Sequence, residues 1–167
     1  MSAIQGDWRY FQCSHRCHDK LYDSVKILHE LNRAIDNELC VPSNMIPHCP
    51  KCNAEMEPWV RSWVFLEGEK YREEYNKLNS FLKRNMHKKV LFLELGVGRM
   101  TPMFIQEPFW NMTYSWQKAF YITINPTDAL LPEELKQKGL AIHEDIAKVL
   151  SDAKKIANGV IRCNQII

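Results

Sequence analysis

The sequence predicts an α/β chain in which a small cysteine-bearing module precedes part of a parallel sheet. Three observations predict it. Two short-spaced cysteine pairs, Cys13/Cys17 and Cys49/Cys52, sit in the first third of the chain. The apolar run Val90–Leu95 enters Gly96-Val97-Gly98, the pattern of a buried strand ending in a glycine turn. Two further short apolar stretches follow, and the last is succeeded by a helical pattern. With 167 residues, 46% of them hydrophobic and 25% charged, the chain has the composition to build a packed core.

Residues 1–20 read as a loop leading into the first cysteine pair. Val25, Leu28, Leu31 and Ile35 recur at helical spacing, predicting a helix over 22–37 between the pairs. The stretch 40–63 is rich in Pro, Cys and Trp and reads as loop. Tyr71, Tyr75, Leu78, Phe81 and Leu82 form the core-facing stripe of a second helix over 69–86, whose other face is charged. Strands are expected at 90–95, at 119–125 before Pro126, and at 140–143, with a helix over 145–157. Continuous apolar runs predict strands buried on both faces, hence a parallel sheet. The tail 158–167 is expected to be loosely held. The tryptophans Trp59, Trp63, Trp110 and Trp116 read as core or interface anchors. The expected division is 1–65 for the cysteine module with its inserted helix, and 66–167 for a helix and the sheet.

Composition excludes several classes. Lys plus Arg number 22 against 20 Asp plus Glu, a net charge of +2, so no basic field marks a nucleic-acid binder. No apolar run reaches the length of a membrane span. The N-terminus MSAIQGDWRY has neither the basic nor the apolar region of a secretory signal, so the expected compartment is the cytoplasm.

In a reducing compartment, paired short spacings indicate metal. Cys13-x3-Cys17 and Cys49-x2-Cys52 each form a knuckle that lets two thiolates and nearby amides converge on one ion. Four thiolates close the tetrahedron of a structural zinc site and leave no open position for chemistry. The gap between the pairs is long, so His15, His18, His48 and Cys40 stand as substitute ligands. A redox dithiol and unrelated thiols are the competing readings. Cys40 and Cys163 are expected to pack as small hydrophobes.

Glycines at a strand end let backbone amides approach a phosphate or ribose. Glu94 lies inside the apolar run, and a buried carboxylate needs a partner. Two nucleotide-using families fit locally: S-adenosylmethionine-dependent methyltransferases and sirtuins. The next strand ends Ile122-Thr123-Ile124-Asn125, without the acidic residue a methyltransferase uses on ribose, and few residues remain for further strands.

Residues 4–152 resemble the C-terminal part of a sirtuin, and more narrowly the macrodomain-associated microbial sirtuins. The resemblance is carried by Gln5-Gly6-Asp7 before Phe11-Gln12-Cys13, by Pro47-His48-Cys49-Pro50-Lys51-Cys52, by Phe92–Gly98, by Pro108–Tyr114 and by Ile122–Asn125. It implies a partial Rossmann-like sheet, a four-cysteine zinc module with Cys13, Cys17, Cys49 and Cys52 as ligands, and NAD as cofactor. It implies cofactor contacts from Gly96, Val97, Gly98 and Asn125, and from Glu144 and Asp145 near the adenine. Asn125 and Asp145 also fit plainer roles, as a turn-closing Asn before Pro126 and a helix N-cap.

Two departures bear on activity. Deacylating sirtuins carry a His before the first zinc cysteine, and here that place holds Gln5. Gln has no titratable proton near neutrality and is no general base, although it can orient. In the resembled subclass this change goes with protein ADP-ribosyl transfer onto an acceptor associated with a lipoylated carrier protein. Asp7 beside Gln5 would position or activate that acceptor. The second departure is that the Gly-Ala-Gly loop and Asn-x-Asp stretch of the NAD site have no counterpart. The chain therefore reads as a fragment or split product whose N-terminal half is a partner. A non-catalytic zinc-stapled binding module is the alternative.

Overall fold

The computed structural model describes residues 2–100 and 102–159. Cys163 lies outside the described residues. The chain divides into two compact units, Met1–Phe81 and Leu82–Ile167.

The first unit is built on a three-stranded antiparallel sheet ordered β2-β1-β3. Its strands are β1 (Gly6–Cys13), β2 (Tyr22–Asp23) and β3 (Met56–Val60). The sequence reads the stretches of β1 and β3 as loop and places Tyr22–Asp23 at the start of a helix, so all three strands depart from expectation. The strand-forming signal is there in the aromatic and β-branched residues of DWRYFQC and MEPWV. It is broken by a bulge between Asp7 and Phe11, where the register on β3 shifts. Trp59 is fully buried, stacks on Phe65 at 5.3 Å and donates Nε1–H to the Leu66 carbonyl at 3.0 Å. Gln12, also fully buried, donates to Glu57 and to the Val64 carbonyl and accepts from the Leu66 amide. Helix α1 (Val25–Ala34) has an apolar stripe, yet no residue of it is fully buried. Helix α2 (Glu69–Asn85) starts where Asp19 accepts the Glu69 amide at 2.9 Å, a cap supplied from a distant loop. Of its expected core stripe, Tyr71, Leu78 and Leu82 are half-buried, whereas Tyr75 and Phe81 are exposed.

The second unit holds a parallel sheet ordered β4-β5-β6. The strands are β4 (Val90–Leu95), β5 (Ala119–Ile124) and β6 (Gly139–Ile142). Helix α3 (Gln106–Ser115) forms the crossover from β4 to β5, and α4 (Ile146–Ala157) follows β6. Phe92, Ala119 and Tyr121 make the buried centre of one sheet face, with Phe109, Trp110, Met112 and Trp116 of α3 and its C-terminal edge packed against them. The other face departs from the expectation of strands buried on both sides. Leu91, Leu93 and Leu95 of β4 are 53%, 40% and 42% exposed, and Phe120 and Leu140 beside them are 41% and 48% exposed. Helix α3 covers only the face of Phe92 and Tyr121, so the alternate residues keep their outer ends in solvent.

Lys138 closes the C-terminal end of α3, donating Nζ–H to the Thr113 and Trp116 carbonyls at 2.5 and 2.7 Å. A cation at orphan helix carbonyls is favourable. Lys138→Met is expected to cost about 1 kcal/mol of stability, read as a lowered midpoint in urea. An unchanged midpoint would show that these bonds carry no net stability.

Among the described residues, no helix is long and apolar enough to cross a membrane.

Candidate functional site

The four cysteines come together as their spacing predicts. Cys13 ends β1, and Cys49 begins a tight turn held by the His48–Glu55 bridge and by the Cys49 amide on the Ala54 carbonyl at 2.7 Å. The strand and the turn are joined by Ser14, whose amide and hydroxyl both donate to the Glu55 carbonyl. Each knuckle turns through a left-handed residue, Arg16 at φ 50° and Asn53 at φ 58°. Asn tolerates this conformation well.

The sulfurs all lie within 4.8 Å of one another, with Cys13–Cys52 at 3.5 Å and Cys17–Cys49 at 3.7 Å. Four sulfurs on a tetrahedral zinc stand about 3.8 Å apart, from a Zn–S bond of about 2.3 Å. The donor set therefore fits zinc. None of the five described cysteines is in a disulfide.

The knuckles favour thiolates at their leading cysteines. Burial opposes the charged form of Cys13, but the amides of Cys17 and His15 hold its thiol low. At Cys49 burial is likewise outweighed by the amides of Cys52 and Lys51, which bring the thiol down to about 6. Desolvation and then the neighbouring thiols push Cys17 up to about 12.

Of the substitute ligands, His18 approaches but is not needed. Its Nδ1 lies 3.0 Å from Cys17 Sγ, and its Nε2 lies 2.8 Å from the Tyr22 hydroxyl. This is the arrangement of an outer partner that orients a metal ligand. His15, His48 and Cys40 are outside the cluster. Cys40 is exposed, which corrects the expectation that it packs as a small hydrophobe. It sits in a loop organised by Asp36, whose carboxylate accepts the Cys40 amide and whose own amide donates to the Cys40 carbonyl.

Gln5 and Asp7 flank Gly6 at the start of β1. Gly6 has φ +90°, and a Cβ there would stand 2.1 Å from the Trp59 carbonyl oxygen, so only glycine fits. The Gln5 carbonyl accepts the Arg61 amide at 2.9 Å, which fixes this backbone against the end of β3. Asp7 grips Arg9 through two carboxylate oxygens and accepts its amide. The Arg9 side chain holds the Asp7 carboxyl below its usual range, so Asp7 is an anion and a weak base. Sequence reasoning missed Arg9, for which the Asp-x-Arg spacing is no signal by itself.

The remaining predicted residues gather at one end of the second unit. In the parallel register Leu95, Ile124 and Ile142 end together, so Gly96-Val97-Gly98, Asn125 and Glu144-Asp145 share the carboxyl end of the sheet. In open parallel sheets ligands bind in the crevice outside that end. Gly96 has φ +65° and donates its amide to the Ile124 carbonyl. At Gly98 an added Cβ would meet nothing within 4 Å, so this bare backbone faces open space.

Asn125 is buried, and its side chain ties two loops together. Nδ2–H donates to the Val97 carbonyl at 3.1 Å, while Oδ1 accepts the Thr127 and Asp128 amides at 3.0 and 3.1 Å. Asp128 then pairs with Arg99 at 2.9 Å, a second tie between the same loops. Asn125→Asp replaces the donor facing Val97 by an acceptor. It is expected to speed amide exchange in residues 96–99 by about tenfold while the strands keep their protection. Equal exchange rates would show that the turn holds itself.

Glu144 pairs with Lys148 and accepts the Asp145 amide, and this Lys148 contact holds its carboxyl low. Asp145 caps α4, accepting the Lys148 amide at 2.9 Å.

Beneath the turn lies a group that the sequence only hinted at. Glu94 is 1% exposed. Its Oε1 accepts from Gln106 Nε2 at 2.9 Å and Thr123 Oγ1 at 3.1 Å, and its Oε2 accepts from the Tyr121 hydroxyl at 2.7 Å. Burial, and then the Glu94 bond, push the Tyr121 hydroxyl well above its usual range. It therefore stays protonated as a donor.

No family model matches the chain. It is 32% identical over 152 residues to a protein ADP-ribosyltransferase of Staphylococcus aureus, an alignment covering 90% of this chain and 48% of that protein. It is 27% identical over 161 residues to a probable bifunctional ADP-ribose hydrolase/ADP-ribosyltransferase of Fusarium oxysporum, covering 90% of this chain and 27% of that protein. The chain thus spans about half of the first relative's length and about a quarter of the second's. Among solved structures it matches Sir2Tm bound to a propionylated peptide, with a TM-score of 0.50 and 15% identity, over 94% of this chain and 55% of that one. The chain is sirtuin-like in fold, corresponding to the C-terminal part, and is similar in sequence to protein ADP-ribosyltransferases.

Proposed function

We propose that this chain is the C-terminal part of a sirtuin-like, NAD-dependent enzyme that transfers ADP-ribose to a protein. The observation that carries the reading is the likeness to the staphylococcal protein ADP-ribosyltransferase along nine-tenths of the chain. The convergence of Gly96–Gly98, Asn125 and the start of α4 at the carboxyl end of a parallel sheet supports it.

NAD, when bound, supplies the ADP-ribosyl group and leaves nicotinamide. The chain's own residues hold and orient. Gly98 offers backbone to the cofactor, and Asn125 fixes the turn that carries it. The Gln5 carboxamide orients a ribose hydroxyl without taking its proton, which favours ADP-ribosyl transfer over deacylation. The Asp7 carboxylate, held as an anion by Arg9, positions the acceptor side chain. Zinc at Cys13, Cys17, Cys49 and Cys52 holds the first unit together and takes no part in bond making.

The acceptor in this reading is a protein associated with a lipoylated carrier, and an N-terminal half supplies the rest of the NAD site. The test joins this chain to the unmatched part of the staphylococcal relative and supplies NAD with a lipoylated carrier protein. Mass spectrometry is expected to find ADP-ribose on the carrier, with Gln5→Ala reducing the yield. Removal of an acyl group from an acyl-lysine peptide, without ADP-ribosylation, would overturn the preference for transfer. A zinc-loaded fold without either reaction would favour the binding-module alternative.

A further inference from the structure

We infer that His18 and Tyr22 are the positioning residues that hold Cys17 on the metal, and that Cys17 is the ligand the site gives up first. This deepens the reading above, because it rests on zinc binding to the four cysteines.

The four sulfurs are not held alike. A metal-bound thiolate has lost its proton and can only accept hydrogen bonds. Cys13 Sγ accepts the amides of Cys17 and His15, and Cys49 Sγ accepts those of Cys52 and Lys51. Cys52 Sγ accepts the Ala54 amide. These donors are backbone, fixed by the turns themselves. At Cys17 desolvation and the other thiols act against the charged form. Its nitrogen donor is a side chain, with His18 Nδ1 at 3.0 Å from Cys17 Sγ. The same Nδ1 stands 3.9 Å from Cys49 Sγ, so the shorter bond goes to Cys17.

Accessibility widens the difference. Cys13 and Cys49 are buried, whereas Cys17 is exposed. Cys52 is exposed as well, but it lies inside a turn closed by the Cys49 amide on Ala54 and the Asn53 amide on Cys49. Cys17 follows left-handed Arg16 in the segment between β1 and β2, which has no strand or helix of its own.

The far end of the relay is fixed. A thiolate needs a donor, so His18 Nδ1 carries the proton, and Nε2 accepts from the Tyr22 hydroxyl at 2.8 Å. Tyr22 lies in β2 and pairs with Phe11, which precedes Cys13 in β1. Beside it the buried Ser24 donates its amide and its hydroxyl to the Arg9 and Trp8 carbonyls, at 2.9 and 2.7 Å. The imidazole is therefore aimed at Cys17 from the sheet that carries Cys13.

The test uses the full chain loaded with zinc. Competition with a chromophoric chelator reads the affinity. Iodoacetamide at saturating zinc, followed by mass spectrometry, reads the labelling rate of each cysteine. His18→Phe keeps a ring and removes both nitrogens. It should weaken zinc binding about 10–100-fold, the usual effect of losing an outer partner. It should also speed labelling of Cys17 by at least about tenfold, with Cys13, Cys49 and Cys52 changed by less than about twofold. Tyr22→Phe should move both readouts the same way by a smaller factor. His18→Asn sets an amide N–H where Nδ1 stands, so it should recover most of the affinity. On that background Tyr22→Phe should have no effect. Wild-type affinity in His18→Phe would overturn the inference. So would a loss that His18→Asn does not recover, or labelling that rises equally at all four cysteines. If His18→Phe does not fold, Tyr22→Phe decides, and unchanged affinity and Cys17 labelling there would overturn the relay. A wild-type chain that binds no zinc would sink the structural-zinc reading together with the inference. Zinc held equally well by every variant would leave that reading standing and sink the inference alone.

Discussion

Stripping zinc with a strong chelator is expected to unfold the first unit and leave the second unit's sheet intact. The reason is the size of the core. Among the described residues of the first unit, only Phe11, Cys13, Cys49, Trp59 and Phe65 are buried hydrophobics, and two of these belong to the four-cysteine cluster that could hold a metal. A core so small rarely stabilises a unit of this length without a staple. Structural zinc contributes about 10–16 kcal/mol of apparent binding energy in small modules, comparable to or above the total stability of an ordinary domain. Chelation is therefore expected to erase the near-ultraviolet signal of Trp59 and the exchange protection of β1 and β3. The amides of β4 and β5 should stay protected. Cys49→Ser should reproduce the loss without chelator, because it removes the buried thiol that opens the second knuckle. Retained protection in β1 after complete zinc removal would contradict a structural metal.

Glu94→Ala is expected to destabilise the second unit by about 3–5 kcal/mol, the scale of removing one member from a buried charged network. Three donors depend on that carboxylate: Tyr121, Gln106 and Thr123. The substitution strands all three in a dry interior and leaves a cavity beside Phe92 and Tyr121. Glu94→Gln keeps the shape but presents an NH2 to one of the donors, so an intermediate cost of about 1–3 kcal/mol is expected. Denaturant unfolding of the two variants checks the order. Equal stability for Glu94→Ala and the wild type would mean that the network is decoration. The same network explains why the glycine turn is well placed, since Glu94 anchors the last residues of β4 to β5 and to the start of α3.

The cysteine cluster was legible because a metal site depends on local spacing, and each knuckle is a short-range turn. The parallel sheet was legible from apolar runs stopped by Gly96 and Pro126. The antiparallel sheet around the knuckles was not. Its strands are short, and β1 is bulged and carries Trp8 and Arg9 outward where alternation would be read. The crossover helix α3 was visible only as the segment Pro108–Tyr114 within a resemblance, because its periodicity is weak. Leu91, Leu93 and Leu95 read as buried because an apolar run does not say whether both faces of its sheet are covered. Glu94 announced a partner, but which partners depended on the register that sets Tyr121 and Thr123 beside it. Asn125 fits the turn-closing role its position before Pro126 suggested, with the added tie to Val97 that only the tertiary structure reveals.

Gly98 gives the most direct test of the claim that the carboxyl end of this sheet serves an NAD-dependent transferase. An added side chain there meets no atom of the protein, and the backbone is outside the left-handed region. Gly98→Leu should therefore change stability by no more than about 0.5 kcal/mol. In the enzyme reassembled with the unmatched half of the staphylococcal relative, the same substitution should abolish release of nicotinamide from NAD, because the side chain fills the space the cofactor needs. Nicotinamide release by the Gly98→Leu enzyme at the wild-type rate would contradict the placement of the cofactor at this turn, and with it the functional reading.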